Sequence, residues 1–355
     1  MILNNYNRQN ISNILIYINR KEILDWEDIL SNEQAENQTV SDGERLNYFF
    51  KTQNVRYGKC LEPTMSCEAK AIKPHSIQNA RVLDLLERRG HVVMPRLSTT
   101  SLGPNVEFQE IGRNHASTFT GLCADHDREI FRALDTQEFA LENPEHLFLL
   151  AYRSVTRELH AVLEGAMKIQ ASYLWQVDKG LDPADTPSPA GMEATAHLMK
   201  SWETWKYRCE FFDKALLNQE WGVLRHRVIV FERQPPVLAV SSLFSFPKSE
   251  KEGDIGRCTL NVFPITEDQT VVIFSHTKPE TKAAWRALKT ILTTKKDKQK
   301  LELSKLIIRY VENFVLSPSH YDNWNEEKKK KIHSLFVRTL FDENAIEDDR
   351  DLLLF

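Results

Sequence analysis

Long apolar runs are missing from this chain. The longest, His146-Leu-Phe-Leu-Leu-Ala-Tyr152, is followed at once by Arg153 and falls well short of the roughly 20 residues that cross a bilayer as a helix. The first residues, Met-Ile-Leu-Asn-Asn-Tyr-Asn-Arg, hold no basic segment followed by an apolar one, so no signal peptide and no membrane partner are expected. The expected location is the cytoplasm, where thiols stay reduced. Cysteine is scarce, with five residues in 355, which excludes a disulfide miniprotein. Glycine (12) and proline (14) are also few, which excludes a collagen-like repeat and a Pro/Gly-rich disordered chain. Charge of one sign is lacking too, since 46 Lys and Arg stand against 50 Asp and Glu for a net charge of −4. The surface as a whole is therefore no polyanion binder, and any nucleic-acid site must be local.

What is present is an ordinary globular composition, 41% hydrophobic and 27% charged. The length predicts about two domains. Patterning places helices at 11–20 and 22–30, a polar linker at 31–43, and a further helix at 45–51. Residues 51–132 then hold three of the five cysteines, four histidines, and twelve Lys/Arg against nine Asp/Glu, a local charge of +3. From Pro144, with Asn143 as cap, a long amphipathic helix is predicted over 145–170. Pro183, Pro187 and Pro189 interrupt it. Helix resumes at 192–217, where Trp202, Trp205, Cys209, Phe212 and Leu216 recur at helical spacing as an inward stripe. Cys209 on that stripe and Cys258 on a strand-like run are read as packing.

The stretch 225–276 is rich in β-branched and aromatic residues between turn signals, which predicts an antiparallel meander of about four strands. Helices are expected at 281–293, 300–315 and 325–340. The order points to an α+β fold. The expected division is N-terminal helices and linker at 1–50, a zinc-binding module at 51–140, and an α+β domain at 141–355 with its sheet at about 224–276. Arg153, Arg157, Glu158 and His160 read as a solvated helix face, and the charge run 326–331 as a solubilising one. The acidic tail 342–351 ends in Leu352-Leu-Leu-Phe355. That apolar end is expected to dock on the chain's own core; a protein partner held through the C-terminal region is the alternative.

The chemistry concentrates in two stretches. One reads Cys60-Leu-Glu-Pro-Thr-Met-Ser-Cys67 and runs on to Lys73-Pro-His75-Ser-Ile-Gln78. The other reads Asn114-His115-Ala-Ser-Thr-Phe-Thr-Gly-Leu-Cys123-Ala-Asp-His126-Asp127. Two sulfur ligands in a loop, with a later Cys-x-x-His at a helix start, suit a tetrahedral zinc ion. The helix N-terminus also favours the thiolate of Cys123. The preferred ligand set is Cys60, Cys67, Cys123 and His126; His75 or His115 replacing a cysteine is the competing set. The spacer between Cys60 and Cys67 is wider than the usual two to four residues, and Pro63 can shape that longer loop.

This order of parts resembles the treble-clef zinc module of HNH endonucleases. The same stretch resembles a group of uncharacterised bacterial proteins sharing the His-Ser-Ile-Gln and Cys-x-x-His-Asp segments. The resemblance covers about 75 of the 355 residues. It implies that His75 is the general base on a strand, that His126 is the last zinc ligand, and that Asp127 occupies the place of the family's final metal-binding histidine. The chain departs from the pattern in its long cysteine loop, in some forty residues after His75, and in having no asparagine close before Cys123.

Phosphodiester hydrolysis needs a base for water and a divalent ion on the phosphate. On the resemblance, His75 is the base, and Asp127 and His115 are candidate ligands for Mg or Mn beside the structural Zn. Lys70, Lys73 and Arg113 are placed to meet phosphates of DNA or RNA. Two functions are therefore expected. The first is a metal-dependent endonuclease of HNH-like type, of a kind that serves phage defence or acts as a toxin. The alternative is a non-catalytic, zinc-stabilised binding or scaffold protein, in which the ion replaces a hydrophobic core.

Overall fold

The computed structural model describes residues 40–100, 103–182, 186–248, 255–341 and 350–355. The helices expected at 11–20 and 22–30, and most of the polar linker, lie outside the described residues. Helix α1 (Asp42–Gln53) opens with a capping box: the Ser41 side chain accepts from the Glu44 N–H and the Glu44 carboxylate accepts from the Ser41 N–H. A π-helical turn at Asn79–Leu83 runs into a short helical turn at Asp84–Leu86. Next come the hairpin β1 (His91–Thr100) and β2 (Gly103–Gly112), then helices α2 (Ala124–Ile130) and α3 (Arg132–Thr136).

The long helix α4 (Pro144–Asp178) is capped as the sequence predicts, with Pro144 in its first turn and the Asn143 side chain accepting from the Glu145 N–H at 2.9 Å. Helix α5 (Pro189–Arg208) starts the same way on Ser188 and Pro189. It then widens into a π turn at Cys209–Asp213 before a last turn at Lys214–Leu217. Strands β3 (Leu224–Glu232), β4 (Leu238–Pro247), β5 (Ile255–Thr266) and β6 (Gln269–Thr277) come next. Helices α6 (Thr281–Thr293) and α7 (Lys296–Tyr310), strand β7 (Phe314–Leu316), and helices α8 (Pro318–Asp322) and α9 (Glu326–Phe341) complete the chain.

The fold is α+β, around one seven-stranded antiparallel sheet in the order β2-β1-β7-β4-β5-β6-β3. Alternate residues of each strand serve different layers, because side chains in a strand point alternately to the two faces. Val262, Val272, Phe314 and Leu316 pack with α6, α7 and α9. Phe263, Val271, Ile273 and Val315 pack with Leu147 of α4 and with the segment 77–86. The sheet is thus covered on both faces, which is why β4–β6 read as nearly unbroken apolar runs.

Three expectations change. The sheet is larger than the four-strand meander: the cysteine-bearing stretch contributes β1 and β2, and β7 comes from within the helix expected at 300–315. A three-residue apolar run such as Phe314-Val-Leu316 cannot be told from a helical stripe by periodicity. The stripe on α5 is not uniformly inward, since Trp202 is 60% exposed while Phe212 is buried; the π turn puts the positions before and after it out of phase. The face carrying Arg153 and His160 is not solvated, for both are buried. The apolar end behaves as expected, with Leu352 and Leu354 fully buried in the large core. No described helix is long and apolar enough to cross a membrane.

Candidate metal centre

Two extended segments meet at the centre. Leu61 donates its N–H to the Gly121 carbonyl and Ile72 to that of Leu122, both at 2.7 Å. Further along, Phe119 donates to Pro74 at 3.1 Å and Ser76 to Ser117 at 3.0 Å. This pairing brings the loop 60–67 against Cys123, which is the N-cap residue of α2. One helical turn on, His126 comes back over Cys123. Glycine is needed at 121, where a Cβ would sit 2.2 Å from the Phe119 ring. Ser117 lies in the left-handed region at φ 53°, beside the extended segment that carries His75.

The wide cysteine spacer closes around Glu62, which is buried. Its carboxylate accepts the N–H groups of Thr64 at 2.7 Å and Cys67 at 3.1 Å, together with that of Ser66 and the Thr64 hydroxyl at 2.8 Å. Burial works to raise this carboxyl, but those bonds hold it down to about 2. The loop therefore wraps its own anion, and this turns Cys67 back toward Cys60. Met65, at φ 57°, completes the turn.

The four candidate ligand atoms lie within 4.8 Å of one another, and this Cys60, Cys67, Cys123, His126 group could hold a metal such as zinc. His126 Nδ1 is 3.2 Å from the Cys123 Sγ and 3.5 Å from the Cys60 Sγ, and the Cys67 and Cys123 sulfurs are 4.0 Å apart. Zinc bonds of about 2.3 Å to sulfur and 2.0 Å to nitrogen at tetrahedral angles call for ligand atoms about 3.5–3.8 Å apart. The observed spacings straddle that range. Burial pushes the Cys60 thiol up to about 12. Cys123, against its own burial, is brought to about 7 by hydrogen bonds from His126, Cys60 and Cys67. Cys123 is thus readier to ionise than Cys60, and a cation would stabilise the thiolates it binds.

The competing ligands stay outside. Among the described residues, neither His75 nor His115 belongs to the cluster. His75 bonds through Nε2 to the Arg113 carbonyl at 3.0 Å. A carbonyl only accepts, so Nε2 carries the proton and Nδ1 keeps its lone pair. Burial lowers the His75 pKa, opposed by that bond and aided by the nearby charges of Arg153, His115 and Arg113. Asp127, in the first turn of α2, has a buried Oδ1 without a partner. Burial raises its pKa, with Arg153 opposing and Asp135 adding. His75, Asp127 and His115 share this neighbourhood, yet they do not converge to the ligand spacing of the cysteine cluster. Lys70 and Lys73 are exposed, and Arg113 pairs with Asp84.

Sequence reasoning missed three supports of the site. Glu62 could have been found as an acid set among hydroxyl residues within the cysteine loop. Arg153 reaches in from α4, where its guanidinium lies 4.1 Å over Phe131 and bonds both Asp135 oxygens at 3.1 Å. Arg208, fully buried at the end of α5, bonds Asp213 at 3.1 Å and touches the Met65 sulfur at 3.8 Å. Asp213 also accepts from the Tyr152 hydroxyl at 2.8 Å. No local motif marks Arg153 or Arg208, because each meets the site only through the fold. Cys209 is half-buried in the π turn and Cys258 is buried in β5. No known family, curated protein or solved structure matches this chain.

Proposed function

We propose that the chain is a zinc-braced, metal-dependent endonuclease of HNH-like type acting on DNA or RNA, in a phage-defence or toxin role. The observation that carries this reading is the position of His75. It lies on an extended segment bridged to Thr118, between the two halves of a cysteine and histidine cluster whose last half opens a helix. That order of parts resembles the treble-clef arrangement that HNH-like nucleases build on. A zinc ion with four protein ligands has no open position for water. Its part is to brace the two segments, and hydrolysis falls to a second site. There His75 Nδ1 would take the proton from water, Asp127 and His115 are the residues that would hold Mg or Mn to supply charge at the phosphate, and Lys70, Lys73 and Arg113 are those that would meet the backbone phosphates.

The test is cleavage of single- and double-stranded DNA and RNA with added Mg or Mn. His75→Ala should lower the rate by about 10²–10⁴ and leave zinc content and fold unchanged. Absence of cleavage with every substrate and ion, or loss of zinc in His75→Ala, would refute the reading. The second reading, a non-catalytic binding or scaffold protein, is favoured by one observation: His75, Asp127 and His115 stand apart, with His75 already bonded to a backbone carbonyl.

A further inference from the structure

Strand β3 closes one end of the sheet and pairs with β6 alone. In an antiparallel pair every second residue turns its N–H and C=O away from the partner. The nine residues of β3 therefore present about four such residues along the outer side. Apart from the Arg227 guanidinium, 3.4 Å from the neighbouring His226 carbonyl, no described residue outside β6 bonds the backbone of β3. Sheet edges are usually closed by a bulge, a proline or a covering segment. Here the register runs unbroken from Leu224 to Glu232, and the strand holds no proline. Two apolar side chains stand open on it, Val228 at 40% and Val230 at 39% exposed.

An open ladder of amides is matched by another extended backbone, and the side chains decide which. Alternation puts Val228 and Val230 on one face of β3, and Arg225 and Arg227 on the other. Arg225, Arg227 and the following Arg233 are exposed, with Glu232 the single acid among them. Among the described residues no carboxylate pairs with any of the three. The edge is therefore basic, and its charge is unmet. A second copy would bring the same three arginines to this edge, and like charges across a strand pair are destabilising. A nucleic-acid strand would answer the arginines but has neither amides for the ladder nor apolar side chains for the valines.

We propose that β3 takes up an acidic, extended segment of a partner protein as a further antiparallel strand of the sheet. Carboxylates of that segment stand opposite Arg225 and Arg227, and apolar side chains opposite Val228 and Val230. The backbone ladder holds the segment, and the paired charges set its register and choose it among extended chains. The proposal rests on the sheet edge and not on the metal centre, so it goes beyond the nuclease reading and does not depend on it.

The test titrates the full chain into a fluorescently labelled peptide, Thr-Val-Thr-Val-Glu-Thr-Glu-Thr, read by anisotropy. Laid antiparallel on β3, its valines fall opposite Val230 and Val228 and its glutamates opposite Arg227 and Arg225. Lysines in place of the glutamates should weaken binding at least about tenfold. The Arg225→Glu, Arg227→Glu variant, altered only at exposed side chains, should lose the glutamate peptide by a similar factor and prefer the lysine one. Two more peptides carry N-methyl groups on alternate amides. One set faces β3 and the other faces away, so one should abolish binding and the other leave it unchanged. No binding at about 1 mM peptide, equal loss from both N-methylated sets, or indifference to charge reversal would overturn the proposal. A single-stranded oligonucleotide that displaces the peptide would overturn it by making the edge a nucleic-acid site. A parent chain that is dimeric, and monomeric in the double variant, would overturn it by assigning the edge to a second copy.

Discussion

Replacing Glu62 by alanine should weaken both the fold and its hold on zinc, although Glu62 touches no metal. In the structure its carboxylate takes three backbone N–H groups, of Thr64, Ser66 and Cys67, and the Thr64 hydroxyl. Hydrogen bonds to a charged group contribute about 1.5–3 kcal/mol each. Thr64 and Ser66 are exposed, so water can take over at their N–H groups; Cys67 is half-buried and has less access to water. The expected loss of stability is therefore about 2–3 kcal/mol, below the sum of the separate bonds. Zinc should bind about 10–100-fold more weakly, the usual effect of removing a partner that orients a ligand. Glu62→Gln separates charge from shape. It keeps the volume but offers one acceptor oxygen, and its amide N–H₂ would face the N–H groups it should accept from. Its loss should approach that of the alanine variant. The assay is competition with a chromophoric zinc chelator, together with thermal unfolding of the zinc-loaded protein. Affinity within about twofold of the parent in both variants, with unchanged unfolding temperature, would refute the reasoning and leave Pro63 and the metal to shape the loop.

Cys123→Ser should abolish stoichiometric zinc and lower the unfolding temperature, since metal binding is coupled to folding; elemental analysis of the folded protein checks it, and a folded parent protein that takes up no zinc when the ion is supplied would contradict it. Asp213→Asn leaves the fully buried Arg208 without its counter-charge, and breaking such a pair costs about 3–5 kcal/mol; chemical denaturation measures it, and a loss below about 1 kcal/mol would show that Tyr152 and Met65 suffice. Burial lowers the pKa of His197 to about 4 and that of His226 to about 4. Unfolded histidines titrate near 6.5, so the stability these neutral rings hold is complete above about pH 6.5 and is lost as pH falls toward about 4. The denaturation midpoint measured from pH 7 to 4.5 should fall less steeply in a His197→Gln, His226→Gln variant than in the parent, and parallel curves would remove both rings from the account.

The parts of this chain that were legible are those in which neighbours in sequence act together. The cap of α4 shows as Asn143-Pro144, and α6 runs over 281–293 as its periodicity predicts. Strands β3–β6 show because β-branched runs alternate with turn signals. The Cys-x-x-His step shows because one helical turn sets the reach from Cys123 to His126. The illegible features depend on distant partners. The hairpin β1–β2 joins the sheet through a single antiparallel pairing of Val93 with Leu316, on a three-residue strand far along the chain. Arg153 looked like surface because its helix face is polar, and nothing local says that Asp135 and Phe131 will cover it. Arg208 lies one residue before a π turn that sequence periodicity does not reveal, and that turn presents Asp213 to it.

These illegible contacts explain why the cysteine cluster need not form by itself. Cys60 and Cys123 belong to the same buried cluster as Phe148, Tyr152, Phe212 and Leu243, which come from α4, the π turn and β4. Zinc modules that fold alone depend on the ion because their own core is small. Here the ligand loops also rest on Tyr152 and, through Met65, on the Arg208–Asp213 pair. A zinc-free chain should therefore keep the sheet and its C-terminal helices, whose core contains neither Cys60 nor Cys123, and lose order first in 59–78 and 114–128. Hydrogen exchange after chelation reads this directly. Protection lost in those two segments and retained in β4–β6 is the expected pattern, and equal loss across the sheet would mean that the ion holds the whole fold together.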